Sequence, residues 1–108
     1  MKKIVFMSIL FLLTGALTTA GSAEKSPADR GKALFEKNCA SCHPSGGNII
    51  NPQKTLHKAS LAEHNVMTEK DIIKIMRNPG PGMTKFNKQT IPDKDAESIA
   101  EYILKTFP

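Results

Sequence analysis

The residues best suited to chemistry lie between positions 38 and 47, which read NCASCHPSGG. This stretch contains Cys39, Cys42 and His43, which are both cysteines and one of the three histidines of the 108-residue chain. Two thiols and an imidazole at this spacing can form a structural disulfide, bind zinc, act as a redox dithiol, or anchor a larger group through the sulfurs. The compartment and the surrounding helices help to separate these four interpretations.

The N-terminus resembles a secretory signal peptide. Lys2 and Lys3 precede an uncharged run over residues 4–20, small residues follow at 21–23, and the first acid is Glu24. This is the layout of a charged, an apolar and a cleavage region. The sequence therefore predicts a signal peptide over residues 1–23 and one exported domain over residues 24–108. An uncleaved N-terminus that tethers the domain to the membrane is the alternative.

The spacing Cys-x-x-Cys-His is typical of covalent haem attachment. A disulfide across so short a loop adds little stability, a zinc site needs a fourth ligand from His57 or His64, and a redox dithiol belongs to a fold with strands. These remain the alternatives. In the haem interpretation, Cys39 and Cys42 form two thioether links and hold His43 under the ring as the iron ligand.

Size and charge agree with a small haem protein. A domain of about 85 residues buries only about 60 to 65% of its unfolded surface, so an apolar ring would supply core that the chain lacks. Without Lys2 and Lys3, thirteen Lys and Arg stand against ten Asp and Glu, and the bases are scattered. A net charge of about +3 is weak evidence for nucleic-acid binding, which would call for a concentrated basic face. We expect a monomer with no integral membrane segment after signal cleavage.

The elements that position the motif are predicted to be about four helices, with no strands. Ser26 and Pro27 predict a helix start that carries Gly31, Phe35 and Cys39 on one face. Ser60 predicts the cap of a short helix, and Thr68 with Asp71 predicts the cap of a helix that must stop at residues 78–80. Apolar residues at spacings of three and four predict a last helix from residue 92 or 93. After Pro44 the chain is predicted to be loop.

The sixth iron ligand would decide the chemistry of such a haem. Met83 is the leading candidate because a thioether raises the reduction potential, and a loop of fixed Pro and Gly residues can deliver this side chain rigidly to the far side of the ring. His57 and His64 are predicted to be surface residues, although either would give a bis-histidine haem. Met76 is predicted to be core, and Met67 is predicted to pack on the helix that follows it.

These motifs resemble those of class I monohaem cytochromes c, over nearly all of residues 24–108. The segment 46–56 is especially similar to that of the small photosynthetic lumenal carriers and their bacterial relatives. The resemblance implies the cytochrome c fold, one haem c, and a hydrogen bond from His43 to the carbonyl of Pro52. Two positions depart from the family. Thr84 stands where a proline usually follows the methionine, and Ile75 replaces a glutamine associated with high potential, so we expect a lower potential.

The resulting functional prediction is a periplasmic one-electron carrier and not an enzyme. Its partners are predicted to be redox proteins with acidic docking surfaces, to which Lys54, Lys58, Lys85 and Lys88 would be attracted. A haem sensor or ligand-binding protein with a labile sixth ligand is the alternative. A small haem enzyme such as a peroxidase is disfavoured because the sequence shows no distal acid-base pair.

Overall fold

The computed structural model describes residues 23–108, together with Gly15 and Gly21. The signal peptide predicted for residues 1–23 therefore lies almost entirely outside the described residues. Within residues 23–108 there are four α-helices and no strand: α1 spans Pro27–Asn38, α2 spans Lys58–Glu63, α3 spans Glu69–Arg77 and α4 spans Asp93–Thr106. The prediction of an all-α fold with about four helices is confirmed. None of the helices in this part of the chain is long and apolar enough to cross a membrane.

Helix α1 begins where its capping residues predict. The Ser26 hydroxyl accepts a hydrogen bond from the Asp29 amide at 3.2 Å, and Pro27 occupies the first turn. This satisfies one of the amides that a helix leaves free at its start. The helix ends at Asn38, so that Cys39 is its C-cap residue and the motif begins where regular structure stops.

The start of α3 also follows the prediction. The Thr68 hydroxyl accepts from the Asp71 amide at 3.2 Å, while the Asp71 carboxylate accepts from the Thr68 amide at 2.9 Å. These two bonds form a reciprocal capping box. The predicted cap of the shorter helix is wrong: α2 begins after His57, and the Ser60 hydroxyl instead accepts from the Thr55 amide at 3.0 Å. Met67 is 66% exposed, so its predicted packing on α3 is also wrong.

Helices α1 and α3 both pack against α4, which is the centre of the fold. The α1–α4 contact depends on Gly31, because a Cβ at this position would lie 2.2 Å from the carbonyl oxygen of Ser98. Beside this crossing, the rings of Phe35, Tyr102 and Phe107 lie with centroids 5.3 to 5.9 Å apart. The buried apolar residues are Phe35, Leu61, Val66, Ile72, Met76, Ile91, Ala96, Ile99, Ala100, Ile103 and Phe107.

The segment after the motif begins with a short 3-10 helix over Pro44–Gly46, where loop was predicted, and residues 47–48 are loop as expected. Gly46 adopts a φ of 79°, and a Cβ there would lie 2.5 Å from Cδ1 of Phe107. Only glycine combines this conformation with this close approach. The C-terminal end of α4 thereby packs directly on the segment that follows His43.

Candidate functional site

A cavity of about 450 Å³ lies between the motif at the end of α1 and the segment that follows α3. Its volume falls in the range of about 300 to 1,000 Å³ that is usual for cofactor sites. Cys39, Cys42 and His43 contribute to its lining, and so do Met83 and Thr84 from the segment after α3. The apolar side chains of the lining include Ile50, Leu56, Leu61, Val66, Ile72, Ile75, Met76, Phe86, Ile99 and Ile103.

Backbone hydrogen bonds hold the motif in a compact turn. The amides of Cys42 and His43 both donate to the carbonyl of Cys39, at 3.2 and 2.9 Å, and the Cys39 amide donates to Phe35 at 2.8 Å. The turn continues the last turn of α1 and directs both thiols and the imidazole to the cavity. Both cysteines are free thiols.

The protonation of Cys39 bears on the alternative uses of the two thiols. Burial and, next, the charge of the neighbouring Cys42 raise the pKa of the Cys39 thiol to about 11. A reactive dithiol needs a lowered pKa, because the thiolate is the nucleophile. Within residues 23–108, moreover, no three His, Cys, Asp or Glu side chains are arranged to hold a metal ion among themselves. Neither the zinc nor the redox-dithiol interpretation gains support.

The imidazole of His43 is oriented by the glycine pair that follows it. Its Nδ1 lies 2.8 Å from the carbonyl oxygen of Gly47, and since a carbonyl only accepts, Nδ1 carries the proton. Nε2 is then the atom with a free lone pair. The hydrogen bond predicted to Pro52 is not the one the structure shows, because Pro52 is exposed and does not line the cavity. The Gly47 carbonyl is closer along the chain, and the 3-10 helix bends it back toward the ring.

Met83 lies half-buried in the irregular segment between α3 and α4. The structure thus brings together four of the five predicted site residues, namely Cys39, Cys42, His43 and Met83, around one cavity. The two segments that carry them are separated by α2 and α3 in the sequence.

The alternative ligands have different locations. His57 does not line the cavity; its Nδ1 lies 3.1 Å from the carbonyl oxygen of Pro108, and its ring packs on Phe107. His64 does line the cavity, and its Nδ1 lies 2.8 Å from the Ser60 carbonyl oxygen. Met76 is 3% exposed, as expected of a core residue, although it also reaches the lining.

Three contributions to the site were missed by the sequence analysis. The Gly47 carbonyl gives no side-chain signal, because any residue offers a backbone oxygen. Ile50 lies beside the segment of Met83, since both line the cavity and a Cβ on Gly82 would lie 3.1 Å from Ile50 Cγ2. Arg77 holds the same segment through contacts with residues much later in the chain, and no short motif marks such contacts.

The residues around the cavity fit a covalently attached haem. Two free thiols at one wall are available for thioether formation, and an imidazole beside them has its Nε2 free. A thioether lies on the segment that contributes Met83. The remaining lining is largely aliphatic, which suits a flat apolar ring. The fold and this site together define a c-type cytochrome domain.

Comparison with known proteins agrees with this class. The sequence model of the family described as "Cytochrome C oxidase, cbb3-type, subunit III" matches residues 26–103. Cytochrome c6 of Gloeothece citriformis is 35% identical over 106 residues, which cover 97% of this chain and 94% of the relative. Cytochrome c6 of Nostoc sp. is 36% identical over 106 residues, with 96% and 93% covered.

Solved structures give the same result. OmcF, the outer membrane cytochrome F of Geobacter sulfurreducens, is 45% identical with a TM-score of 0.71, covering 72% of this chain and 99% of that chain. Cytochrome c6C of Synechococcus sp. is 26% identical with a TM-score of 0.67, covering 71% and 93%.

This chain belongs to the family of small monohaem c-type cytochromes that includes cytochrome c6. Members of this family carry one covalently bound haem c and exchange electrons with redox partners. The chain is accordingly an electron-transfer protein and not an enzyme.

Proposed function

We propose that this chain is a periplasmic one-electron carrier whose haem is attached through Cys39 and Cys42 and ligated by His43 and Met83. The observation that carries the proposal is the shared cavity, which these four residues line together. When bound, the haem supplies one iron that alternates between Fe(II) and Fe(III).

His43 is the proximal ligand in this proposal because of how its ring is held. The hydrogen bond from Nδ1 to the Gly47 carbonyl fixes the tautomer and the orientation of the imidazole. Such a bond also raises the basicity of the free nitrogen, Nε2. The packing of Phe107 against Gly46 limits the movement of this carbonyl. We propose that Gly47 takes the role expected of Pro52.

Met83 is the sixth ligand in this proposal, and its role is to occupy the remaining iron position and keep out other ligands. A thioether favours the reduced iron and raises the potential relative to a second imidazole. The Phe86 amide donates to the Met76 carbonyl at 2.9 Å, which closes the segment against the end of α3 soon after Met83. Ile50 and Ile72 add apolar lining nearby, which disfavours water.

The test of Met83 is the absorption spectrum of the periplasmically expressed holoprotein. We expect the oxidised wild type to show the weak long-wavelength band of sulfur-to-iron ligation, and Met83→Ala to lose it. Met67→Ala is the matched control, because Met67 is exposed and does not line the cavity. His64→Ala should keep the band. Loss of the band in His64→Ala and its survival in Met83→Ala would overturn the assignment.

Carbon monoxide distinguishes a carrier from a ligand-binding sensor. If Met83 is held firmly, the reduced wild type should bind carbon monoxide slowly, and Met83→Ala should bind it fast. Rapid binding by the wild type, equal to that of Met83→Ala, would favour the sensor over the carrier.

We also propose residues 1–23 as a signal peptide and residues 24–108 as the cytochrome domain. The charged, apolar and small-residue regions support this division, and α1 begins soon after it, at Pro27. The mass of the holoprotein recovered from the periplasm tests it. If the holoprotein is instead recovered in a membrane fraction, with a mass that includes residues 1–23, the result would support the tethered alternative.

Partner docking is proposed at the mouth of the cavity. Ile50 and Ile75 line the cavity and are 58% and 37% exposed, and the adjacent Ile49 is 63% exposed. Lys54 is the member of the predicted lysine set that also lines the cavity, whereas Lys88 lies 3.1 Å from the Asp93 carboxylate and is partly neutralised. An apolar centre beside a lysine suits an acidic partner.

Charge reversal at this surface tests the docking proposal. Lys54→Glu should slow electron exchange with an acidic redox protein at low salt, and the difference should shrink as salt is added. Lys32→Glu carries the same charge change on α1, away from the cavity lining, and serves as the control. Equal slowing by both variants would contradict docking at this place.

We expect the protein to be a monomer, which sedimentation measures directly.

A further inference from the structure

Arg77, the last residue of α3, contacts three groups that follow Met83 in the chain. Its Nη1 donates to the carbonyl oxygens of Phe86 and Ile91, at 3.1 and 2.8 Å. Its Nη2 lies 2.9 Å from the Asp93 carboxylate at the start of α4. The side chain is only 20% exposed, so these contacts are made largely out of water.

The segment over residues 78–85 depends on such external contacts. The backbone hydrogen bond that the structure shows within it, from the Met83 amide to the Gly80 carbonyl, has a donor–acceptor distance of 3.5 Å. This is beyond the usual range for N–H···O bonds and is weak. The firm contacts are at its end: Phe86 donates to Met76 through its amide and accepts from Arg77 through its carbonyl.

A guanidinium suits this place better than another cation. It is planar, keeps its charge, and offers several N–H groups in a fixed fork, whereas an ammonium is a compact and strongly hydrated charge. Arg77 uses the fork to join Phe86, Ile91 and Asp93, which belong to two different elements. A half-buried positive charge with its partners removed is costly, so the contacts are mutually dependent.

We infer that Arg77 is a positioning residue for the sixth iron ligand: by fixing the chain after Met83 to α3 and α4, it determines how firmly Met83 occupies the iron. The inference rests on the proposed function, in which Met83 is that ligand. Arg77 does not line the cavity, so it acts through the segment and not by contact with the haem.

Imidazole binding to the oxidised holoprotein measures how easily Met83 is displaced. Arg77→Gln should raise the affinity for imidazole by about tenfold, because charge-assisted hydrogen bonds that hold the segment are lost. Arg77→Lys should fall between this variant and the wild type, because it keeps the charge without the fork. The long-wavelength band should weaken in the same order at a given imidazole concentration.

Arg30→Gln is the matched control for Arg77→Gln. Arg30 pairs with Asp95, also near the start of α4, but it does so from α1 and has no contact with the segment of Met83. If Arg77 were only a structural residue, Arg77→Gln would lower the free energy of unfolding but would change the imidazole affinity no more than Arg30→Gln does. Equal imidazole affinities in the two glutamine variants would therefore overturn the inference.

A second pair of variants gives an answer even if Arg77→Gln does not fold. Asp93→Asn removes one partner of Arg77, whereas Asp95→Asn removes a carboxylate from the same first turn of α4 and leaves Arg77 intact. Asp93→Asn should raise imidazole affinity and Asp95→Asn should not. If both leave the affinity unchanged, the inference is wrong. Absence of the long-wavelength band in the wild type would instead overturn Met83 ligation itself, and the inference with it.

Discussion

The backbone of Gly31 lies directly against the Ser98 carbonyl, with room for a hydrogen but not for a methyl group. A Cβ at Gly31 would lie 2.2 Å from that oxygen and 3.0 Å from Cβ of Tyr102. Both obstacles belong to α4, and one of them is backbone, which cannot turn aside as a side chain does. The separation of α1 and α4 therefore depends on this one residue.

Gly31→Ala should lower the free energy of unfolding by about 1 to 3 kcal/mol, the usual cost of overpacking, although alanine favours the helix itself. Denaturant unfolding of the holoprotein, followed by circular dichroism, measures the change. Gly80→Ala is the control, since a Cβ there meets nothing within 4 Å. If Gly31→Ala has the same free energy of unfolding as Gly80→Ala, α1 and α4 can move apart without loss of stability, which would contradict the prediction.

Thr68→Ala should destabilise the protein by about 1 kcal/mol, because the capping box at the start of α3 is lost. Helix α3 carries Ile72 and Met76 to the cavity lining, so imidazole should also bind somewhat more readily. Thr68→Ser keeps the hydroxyl that accepts from the Asp71 amide and should restore most of the stability. If Thr68→Ser does not restore the stability, the loss in Thr68→Ala comes from the missing methyl group and not from the capping hydrogen bond.

Asp93 should make the stability depend on acid pH. Hydrogen bonds from Lys88 and, next, from Arg77 hold the pKa of the Asp93 carboxyl below its ordinary value of about 3.9. A lowered pKa in the folded state stabilises the protein fully above the unfolded pKa, and this contribution is lost as the pH falls through the folded value. Wild type should therefore exceed Asp93→Asn in free energy of unfolding at neutral pH, and the gap should close below about pH 4. A gap that stays constant with pH would contradict the role of the charge.

Ile75→Gln should raise the reduction potential. Ile75 lines the cavity, and the resemblance to photosynthetic carriers places a glutamine there in proteins of high potential. Hydrogen bonding and polarity beside the iron are the means by which a protein adjusts this quantity. Potentiometric titration of the holoprotein measures it, with Ile75→Leu as the apolar control. A lower or unchanged reduction potential in Ile75→Gln would show that a glutamine at this position does not have the effect in this chain that the resemblance implies.

Local signals were sufficient for much of the fold. Ser26 with Pro27 and Thr68 with Asp71 gave the starts of α1 and α3, because capping is an interaction between residues close in sequence. The apolar spacing of α4 likewise identified its buried face. The cap predicted at Ser60 is wrong because a serine hydroxyl can bond to loop backbone as well as to a helix start. Here it bonds to the loop over residues 53–55.

The site was predictable where chemistry depends on side-chain type and not where it depends on backbone. Cys39, Cys42, His43 and Met83 were found as candidates because thiol, imidazole and thioether groups are recognisable in a sequence. The partner of His43 was missed, since the path of the chain decides which carbonyl approaches the ring. Arg77 was missed because its partners are 9 to 16 residues away, and two of them are backbone carbonyls in an irregular part of the chain.

The closure of residues 78–85 has a consequence for how such proteins diversify. The two hydrogen bonds that hold the end of the segment both involve α3: the Met76 carbonyl accepts from the Phe86 amide, and Arg77 donates to the Phe86 carbonyl. Neither bond involves the residues in between. The residues of the segment around Met83 are thus exchangeable: they can be replaced by those of a relative while Met83, the anchor points and the helical frame stay the same. Thr84 is an instance of such variation. Grafting the residues between Arg77 and Phe86 from relatives offers a way to build a series of carriers that differ in reduction potential on one unchanged scaffold.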